Sequence, residues 1–148
     1  MNLPKQSFLA LAAVGWVDGA LKKVEATGLL RAAKEAGLQG ADYATVEQAT
    51  KTQITLDEID MGELSPWDAL LTFALGAWLS QVDGVSSPSE RETLSKLGGR
   101  LGVSEPLQIR AAAAANDIAC LPGGGRPERY DFEKLAARLR ERLPQVKS

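Results

Sequence analysis

The sequence contains the same turn twice, and this repetition limits the folds open to the chain. Val-Asp-Gly occurs at residues 17–19 and again at 82–84, and in both copies a Glu stands seven places after the Asp. At the same offset of 65, residues 8–38 and 73–103 share eight identities in 31 positions without a gap. Unrelated segments of average composition would share roughly two. The identities fall at core, turn and cap positions, so we expect a duplicated unit.

Apolar residues recur at helical spacing on both sides of each turn, and no stretch alternates strongly enough to indicate a strand. Ala and Leu supply most of the apolar content, which favours closely packed helices. Each hairpin must bury its apolar face, so two hairpins are expected to pack about a pseudo-twofold axis. We therefore predict an all-α fold of about seven helices, at residues 4–17, 22–36, 41–50, 66–82, 88–101, 105–116 and 130–143.

The chain of 148 residues is long enough for one domain with a substantial core. Its charge is uneven: residues 1–120 carry a net −5, whereas residues 121–148 carry +3. We predict a helical domain over 1–120, followed by a Gly-rich linker and a basic amphipathic helix over 121–148. The acidic body does not fit a nucleic-acid-binding protein.

The chain is poor in histidine and cysteine, two residue types that many enzymes use in catalysis. The chain has no histidine, which removes the commonest general base and the usual zinc ligand. The single cysteine, Cys120, cannot form an internal disulfide, which favours a reducing cytoplasm. It follows an apolar stretch, so we expect it to be buried. We predict that the protein is not an enzyme, and that any bound metal is a hard cation held by oxygen.

The longest apolar stretch, residues 8–17, is too short to cross a bilayer. An acidic residue follows it directly, and no small-residue cleavage site is present. We therefore expect a helix of the mature protein and no integral membrane segment.

A helix, an Asp-Gly turn and a second helix with Glu near its start, repeated once, resemble the TerB family of bacterial tellurite-resistance proteins and their relatives. The resemblance covers roughly residues 5–115 and is clearest in "LLTFALGAWLSQVDGVSSPSERETLSKLGGRLGVSE". It implies an all-helical TerB-like fold and a non-catalytic role in bacterial stress response or assembly with an unidentified protein partner. It also implies an acidic site, made from the two turns, that is suited to a metal.

The acidic residues of the two turns allow two interpretations. Asp18, Glu25, Asp83 and Glu90 could gather at the pseudo-twofold and hold one divalent cation, either calcium, magnesium or manganese. Alternatively, they only shape turns and helix starts in a protein-protein interaction module without metal.

The two copies differ in how well ordinary helix capping explains their glutamates. Ser87-Pro88-Ser89-Glu90 reads as a capping box, in which Glu90 reaches back to Ser87. The matching position in the first copy is Lys22, a poor cap, so capping leaves Glu25 unexplained. Lys22 and Lys23 could neutralise the nearby carboxylates, which weighs against a metal.

A second acidic cluster lies between residues 52 and 65. Its members are Asp57, Glu58, Asp60 and Glu63, but Ile59 and Met61 occupy alternate positions where a calcium loop needs oxygen ligands. We predict a solvated connecting loop with a short helical turn.

The final helix carries one apolar stripe and a basic outer face. Phe132, Leu135, Leu139 and Leu143 form the stripe. This pattern predicts a helix that docks on the acidic body, and docking on another protein or on an anionic membrane surface is the alternative.

Overall fold

The computed structural model describes residues 1–62, 64–84 and 86–148. These residues form seven α-helices and one short 3₁₀ turn, with no strand among them, so the all-helical prediction is confirmed. The helices are α1 (Lys5–Trp16), α2 (Lys23–Glu35), α3 (Gly40–Ala49), α4 (Pro66–Leu79), α5 (Pro88–Arg100), α6 (Glu105–Ala119) and α7 (Phe132–Arg142), and the 3₁₀ turn is Leu56–Glu58.

Helix α4 is the centre of the core. Ser65 caps its start by accepting a hydrogen bond from the Asp68 N–H at 3.1 Å, and Pro66 occupies the first turn, where its missing N–H costs nothing. Twelve of its fourteen residues are buried, so it is apolar on all sides. It packs against α1, α2, α5 and α6.

Four of the first six helices follow the spacing of the sequence repeat. Helices α2 and α5 begin at equivalent positions and end at equivalent positions, and α3 and α6 also begin at equivalent positions. α2 closes with the Leu38 N–H donating to the Ala33 carbonyl at 3.0 Å, and α5 closes with the Val103 N–H donating to Gly98 at 2.9 Å. Both ends have the long-range bond of a Schellman cap.

Residues related by the same offset also touch each other directly. The Thr72 hydroxyl donates to the Ser7 hydroxyl at 2.9 Å, and both side chains are fully buried. One helical turn further along, a β-carbon added at Gly76 would lie only 3.0 Å from Leu11 Cδ2. Helices α1 and α4 therefore meet through equivalent positions.

The connection between α3 and α4 is more deeply anchored than a solvated loop. Leu56, Ile59 and Met61 are buried, while the acidic residues between them face solvent. The Arg100 guanidinium donates to the carbonyls of Leu56 at 2.5 Å and Ile59 at 2.7 Å. The predicted helical turn is present, and Glu63 lies outside the described residues. The apolar residues Ile59 and Met61, whose alternate positions rule out a calcium loop, anchor this connection to the core instead.

The segment before α7 packs tightly on the body. The Tyr130 ring stacks on Trp78 with centroids 4.2 Å apart, and its hydroxyl donates to the Ala115 carbonyl at 2.9 Å. A β-carbon at Gly124 would overlap the Ile118 carbonyl oxygen, so this glycine allows close backbone approach. Gly124 therefore lets this segment pack closely against the end of α6.

Helix α7 completes the same core. All four residues of its predicted apolar stripe are buried: Phe132, Leu135, Leu139 and Leu143. On its outer side, the Arg138 guanidinium pairs with Asp117 of α6 at 3.0 Å. The Arg31 guanidinium of α2 adds a hydrogen bond to the Tyr130 carbonyl at 2.6 Å.

Cys120 is exposed, so the expectation of a buried thiol was wrong. It caps the end of α6, whose buried stripe runs through Ala111, Ala114, Ala115 and Ile118. Residue 120 does not continue the spacing of three and four residues that forms this stripe, so its side chain lies on the outer face of the helix. In the described part of the chain, no helix combines the length and apolar character needed to cross a membrane.

Candidate functional site

The two Asp-Gly turns have the same backbone geometry. Gly19 and Gly84 have φ values of +90° and +88°, a region that favours glycine. The Gly19 N–H donates to the Trp16 carbonyl, and the Gly84 N–H donates to the Gln81 carbonyl, both at 2.8 Å. The two turns therefore close in the same way, directly after the aspartate of each copy.

Each turn is followed by a buried glutamate. Glu25 and Glu90 are the third residues of α2 and α5, and only 4% and 2% of their surfaces are exposed. The carboxylate oxygens Glu25 Oε1 and Glu90 Oε2 are buried without a hydrogen-bond partner. Charged groups are rarely left unpaired in a protein interior, because losing water is costly for them. These two atoms are therefore the features of the site that most need an explanation.

The position of the glutamates follows from their place in the first helical turn. Side chains there lean back toward the helix N-terminus, which directs both carboxylates toward the turns. The positive end of the helix dipole favours a negative charge at that point. Glu25 Oε2 also reaches α1, where a β-carbon on Gly15 would lie 3.5 Å from it.

The residue that precedes each second helix contacts the aspartate of the other copy. The Ser87 hydroxyl donates to Asp18 Oδ2 at 2.5 Å. The Lys22 ammonium makes an ion pair with Asp83 Oδ2. Lys22 and Ser87 are themselves related by the offset between the two copies, so the contacts are equivalent in position but different in chemistry.

The charges of the four acidic residues are coupled across the two copies. Burial raises the pKa of Glu25 to about 7, and the negative charge of Glu90 adds to this rise. Burial also raises the pKa of Glu90, followed by the charge of Asp18. The Asp83 charge acts in the same direction on both glutamates. The structure thus brings together all four residues that the sequence singles out.

The capping interpretation of Glu90 needs correction. Ser87 does cap α5, because its hydroxyl accepts a hydrogen bond from the Glu90 N–H at 3.0 Å. The Glu90 carboxylate does not complete the box; its Oε2 is buried and unpaired, as Glu25 Oε1 is. A reciprocal capping box is found instead at the 3₁₀ turn, between Thr55 and Glu58. The Glu25 carboxylate, by contrast, does accept a hydrogen bond from the backbone of Lys22, the N-cap residue of α2. Capping therefore leaves one buried oxygen unpaired on each glutamate, Glu25 Oε1 and Glu90 Oε2.

The arrangement has a buried floor and an exposed rim. Glu25 and Glu90 form the floor, while Asp18, Asp83 and Lys22 lie at the exposed surface. Within the described residues, no three Asp, Glu, Cys or His side chains converge as a ready-made metal ligand set. The residues carry the right donor atoms for a hard cation, but they are not closed around one point.

The contacts between the two copies were not predicted from the sequence. Lys22 was expected to neutralise carboxylates of its own copy, whereas its ammonium pairs with the aspartate of the second turn. Ser87 was assigned only to capping, yet it also contacts Asp18. The sequence offset could have suggested both, since a twofold arrangement brings each second helix beside the other turn.

The tryptophans serve packing. Trp78 is buried against Tyr130 and Phe132, and Trp67 is buried beneath the Arg140 guanidinium. Trp16 donates from its indole N–H to the Ala49 carbonyl at 2.7 Å. Trp16 therefore fixes α1 to α3.

Comparison with known proteins gives no relative for this chain: no family model, no curated protein and no solved structure matches it. The resemblance to the TerB family therefore rests on the doubled turn and its helical setting.

Proposed function

We propose that this chain is a non-enzymatic, TerB-like helical domain that binds one divalent cation between its two Asp-Gly turns. The observation that carries the proposal is the pair of buried glutamate oxygens without partners, both in one cluster of four carboxylates. A cation bound there would satisfy both oxygens and remove the repulsion among the carboxylates.

The proposal includes a duplicated three-helix unit, α1–α3 and α4–α6, arranged about a pseudo-twofold axis. The common offset of 65 between the starts of α2 and α5, and between those of α3 and α6, supports it. So do the contacts between equivalent residues, Ser7 with Thr72 and Leu11 with Gly76. Such an axis makes one acidic site out of two turns, each of which alone has too few ligands.

The cation would be held by Asp18, Glu25, Asp83 and Glu90. Carboxylate oxygens suit calcium, magnesium and manganese, and the chain has no histidine that would favour a softer metal. Because the described acidic side chains do not converge as a ligand set, binding requires the rim to rearrange.

The cellular role follows from the resemblance alone. A TerB-like domain implies a cytoplasmic protein in bacterial stress response or assembly, with an unidentified protein partner. The most informative test of that role is to identify the proteins that copurify with the chain and to measure metal in the same sample.

Cation binding is tested by adding millimolar calcium, magnesium or manganese to metal-free protein. We expect Tm to rise by about 9 °C at roughly 100 times Kd, because binding to the folded state alone stabilises it. Amide signals of both turns should shift in the calcium and magnesium spectra, and the E25Q/E90Q variant should lose both responses. Unchanged melting and unchanged spectra with all three cations would refute the proposal.

A second candidate is a protein-protein interaction module without metal. The observation in its favour is that both rim aspartates already have partners, Ser87 for Asp18 and Lys22 for Asp83. In this case the acidic residues only shape turns and helix starts. A folded protein that copurifies with a partner but ignores every cation would favour this candidate.

A further inference from the structure

Lys22 brings a charge into the contacts between the two turns, where its equivalent Ser87 brings a neutral hydroxyl. It directly precedes α2 and makes no side-chain cap there, so its side chain is free to cross to the second turn. Its ammonium pairs with Asp83, while 48% of the lysine side chain and 18% of the aspartate side chain stay exposed. The ion pair joins the start of α2 to the turn between α4 and α5.

The Lys22 ammonium also acts on the buried floor. Its positive charge opposes the rise in the pKa of Glu25 and of Glu90. In turn, Asp83 first, and then Glu25 and Glu90, raise the pKa of Lys22 against its own desolvation. One ammonium group thus serves three of the four carboxylates, which is the electrostatic position that a bound cation would take.

The second copy shows the geometry without the charge. Ser87 stands at the equivalent position and meets Asp18 through a neutral hydroxyl. A hydroxyl at position 22 would therefore be sufficient for a contact of this kind. The lysine brings a cation of the chain itself into the cluster.

We infer that Lys22 is the resident counter-cation of the carboxylate cluster, and that a divalent cation must displace its ammonium from Asp83 in order to bind. This inference rests on the proposed cation site. It adds that competition from the Lys22 ammonium lowers the affinity of that site for a divalent cation. It also accounts for the open arrangement of the acidic side chains, because the Lys22 ammonium holds Asp83 at the rim.

The test compares three metal-free proteins by calorimetric titration with calcium and with manganese: the wild type, K22M and K23M. Methionine keeps the length of the lysine side chain and removes its charge. Lys23 is exposed and adjacent, so K23M has the same net charge as K22M and is the matched control. We expect Kd to fall about fivefold in K22M, as for the loss of one competing ion pair, and to change little in K23M.

A second readout uses the wild type alone, so it does not depend on how K22M folds. Amine-labelling rates of Lys22 and Lys23 are measured by mass spectrometry while the cation is added. We expect Lys22 labelling to rise severalfold as the site fills, because an ammonium that leaves Asp83 loses the negative charge that holds its proton. Lys23 labelling should stay unchanged and is the internal standard.

The outcomes separate the inference from the proposed function. If the wild type binds cations but K22M gains no more affinity than K23M, or Lys22 labelling stays constant during binding, the inference is wrong and the cation site stands. If none of the three proteins binds a cation, the proposed function fails and the inference fails with it.

Discussion

The two Asp-Gly turns share their backbone and their buried acid but differ in what surrounds them. Both have glycine at nearly the same φ, and both place a glutamate with an unpaired oxygen in the third position of the next helix. The first copy adds Lys22, whereas the second has Ser87 as a true helix cap. The shared glycines and glutamates define the candidate site. The residues at positions 22 and 87 determine whether an ammonium or a neutral hydroxyl contacts the aspartate of the other copy.

The largest expected effect tests whether the two copies are packed alike. Leu29 and Leu94 are equivalent residues of α2 and α5, with 1% and 8% of their surfaces exposed. We expect L29A to lower the free energy of unfolding by about 3 kcal/mol and L94A by about 2 kcal/mol, because each substitution leaves a cavity. Urea unfolding measures both. A loss below about 1 kcal/mol for either variant would show that its copy is not part of a shared core.

The next effect concerns Glu25, the buried glutamate of the first copy. Because its folded-state pKa is about 7 and its ordinary value is 4.5, the folded protein binds the Glu25 proton more tightly than the unfolded chain does. The stability contributed by this proton is complete below about pH 4.5 and is lost as the pH rises to about 7. At pH 8, E25Q should be about 1–2 kcal/mol more stable than the wild type, with little difference near pH 4.5.

The control for that prediction is E35Q, which changes an exposed glutamate of the same helix. Stability is measured by urea unfolding across pH 4.5–8 in the presence of a chelator. If the wild type and E25Q have parallel pH profiles, the carboxylate of Glu25 is not held in the environment described above.

A smaller effect tests the difference in capping. S87A removes the hydroxyl that accepts from the Glu90 N–H and donates to Asp18, so we expect a loss of about 1 kcal/mol. K22A removes no cap, and its effect on stability should be smaller than that of S87A. Thermal melting in chelator compares the two. A K22A variant that loses more stability than S87A would give Lys22 a structural role beyond charge balance.

An effect of similar size concerns the space beneath the glutamates. Gly15 lies under Glu25, and its equivalent in the second copy is Ser80. A side chain at position 15 would overlap the end of Leu21, which is only half-buried and can move. We expect G15S to cost roughly 1 kcal/mol. An unchanged melting temperature would mean that the two copies have equal room for a side chain at this position.

Helices and turns could be predicted from the sequence because their determinants are local. Gly19 and Gly84 indicate the turns, Ser65 and Ser87 with their following prolines indicate helix starts, and apolar spacing supplies the rest. The four acidic residues could be chosen for the same reason, since an offset in one chain identifies equivalent positions.

The remaining features depend on packing between distant segments. Lys22 meets Asp83, and Ser87 meets Asp18, across more of the chain than any helix or turn spans, so no local pattern distinguishes them from ordinary surface residues. Burial of the glutamates is likewise produced by helices that pack from elsewhere. The exposure of Cys120 depends on where the buried stripe of α6 ends.

The central claim is that the two turns form one cation site, and paramagnetic broadening tests it most directly. Substoichiometric manganese is added to metal-free, ¹⁵N-labelled protein, and amide signal loss is mapped along the chain. We predict that the Gly19 and Gly84 amides broaden together, at the same manganese concentration, and that E25Q/E90Q abolishes both effects. Broadening confined to one turn, or centred on the exposed acidic residues Asp57, Glu58 and Asp60, would contradict the claim.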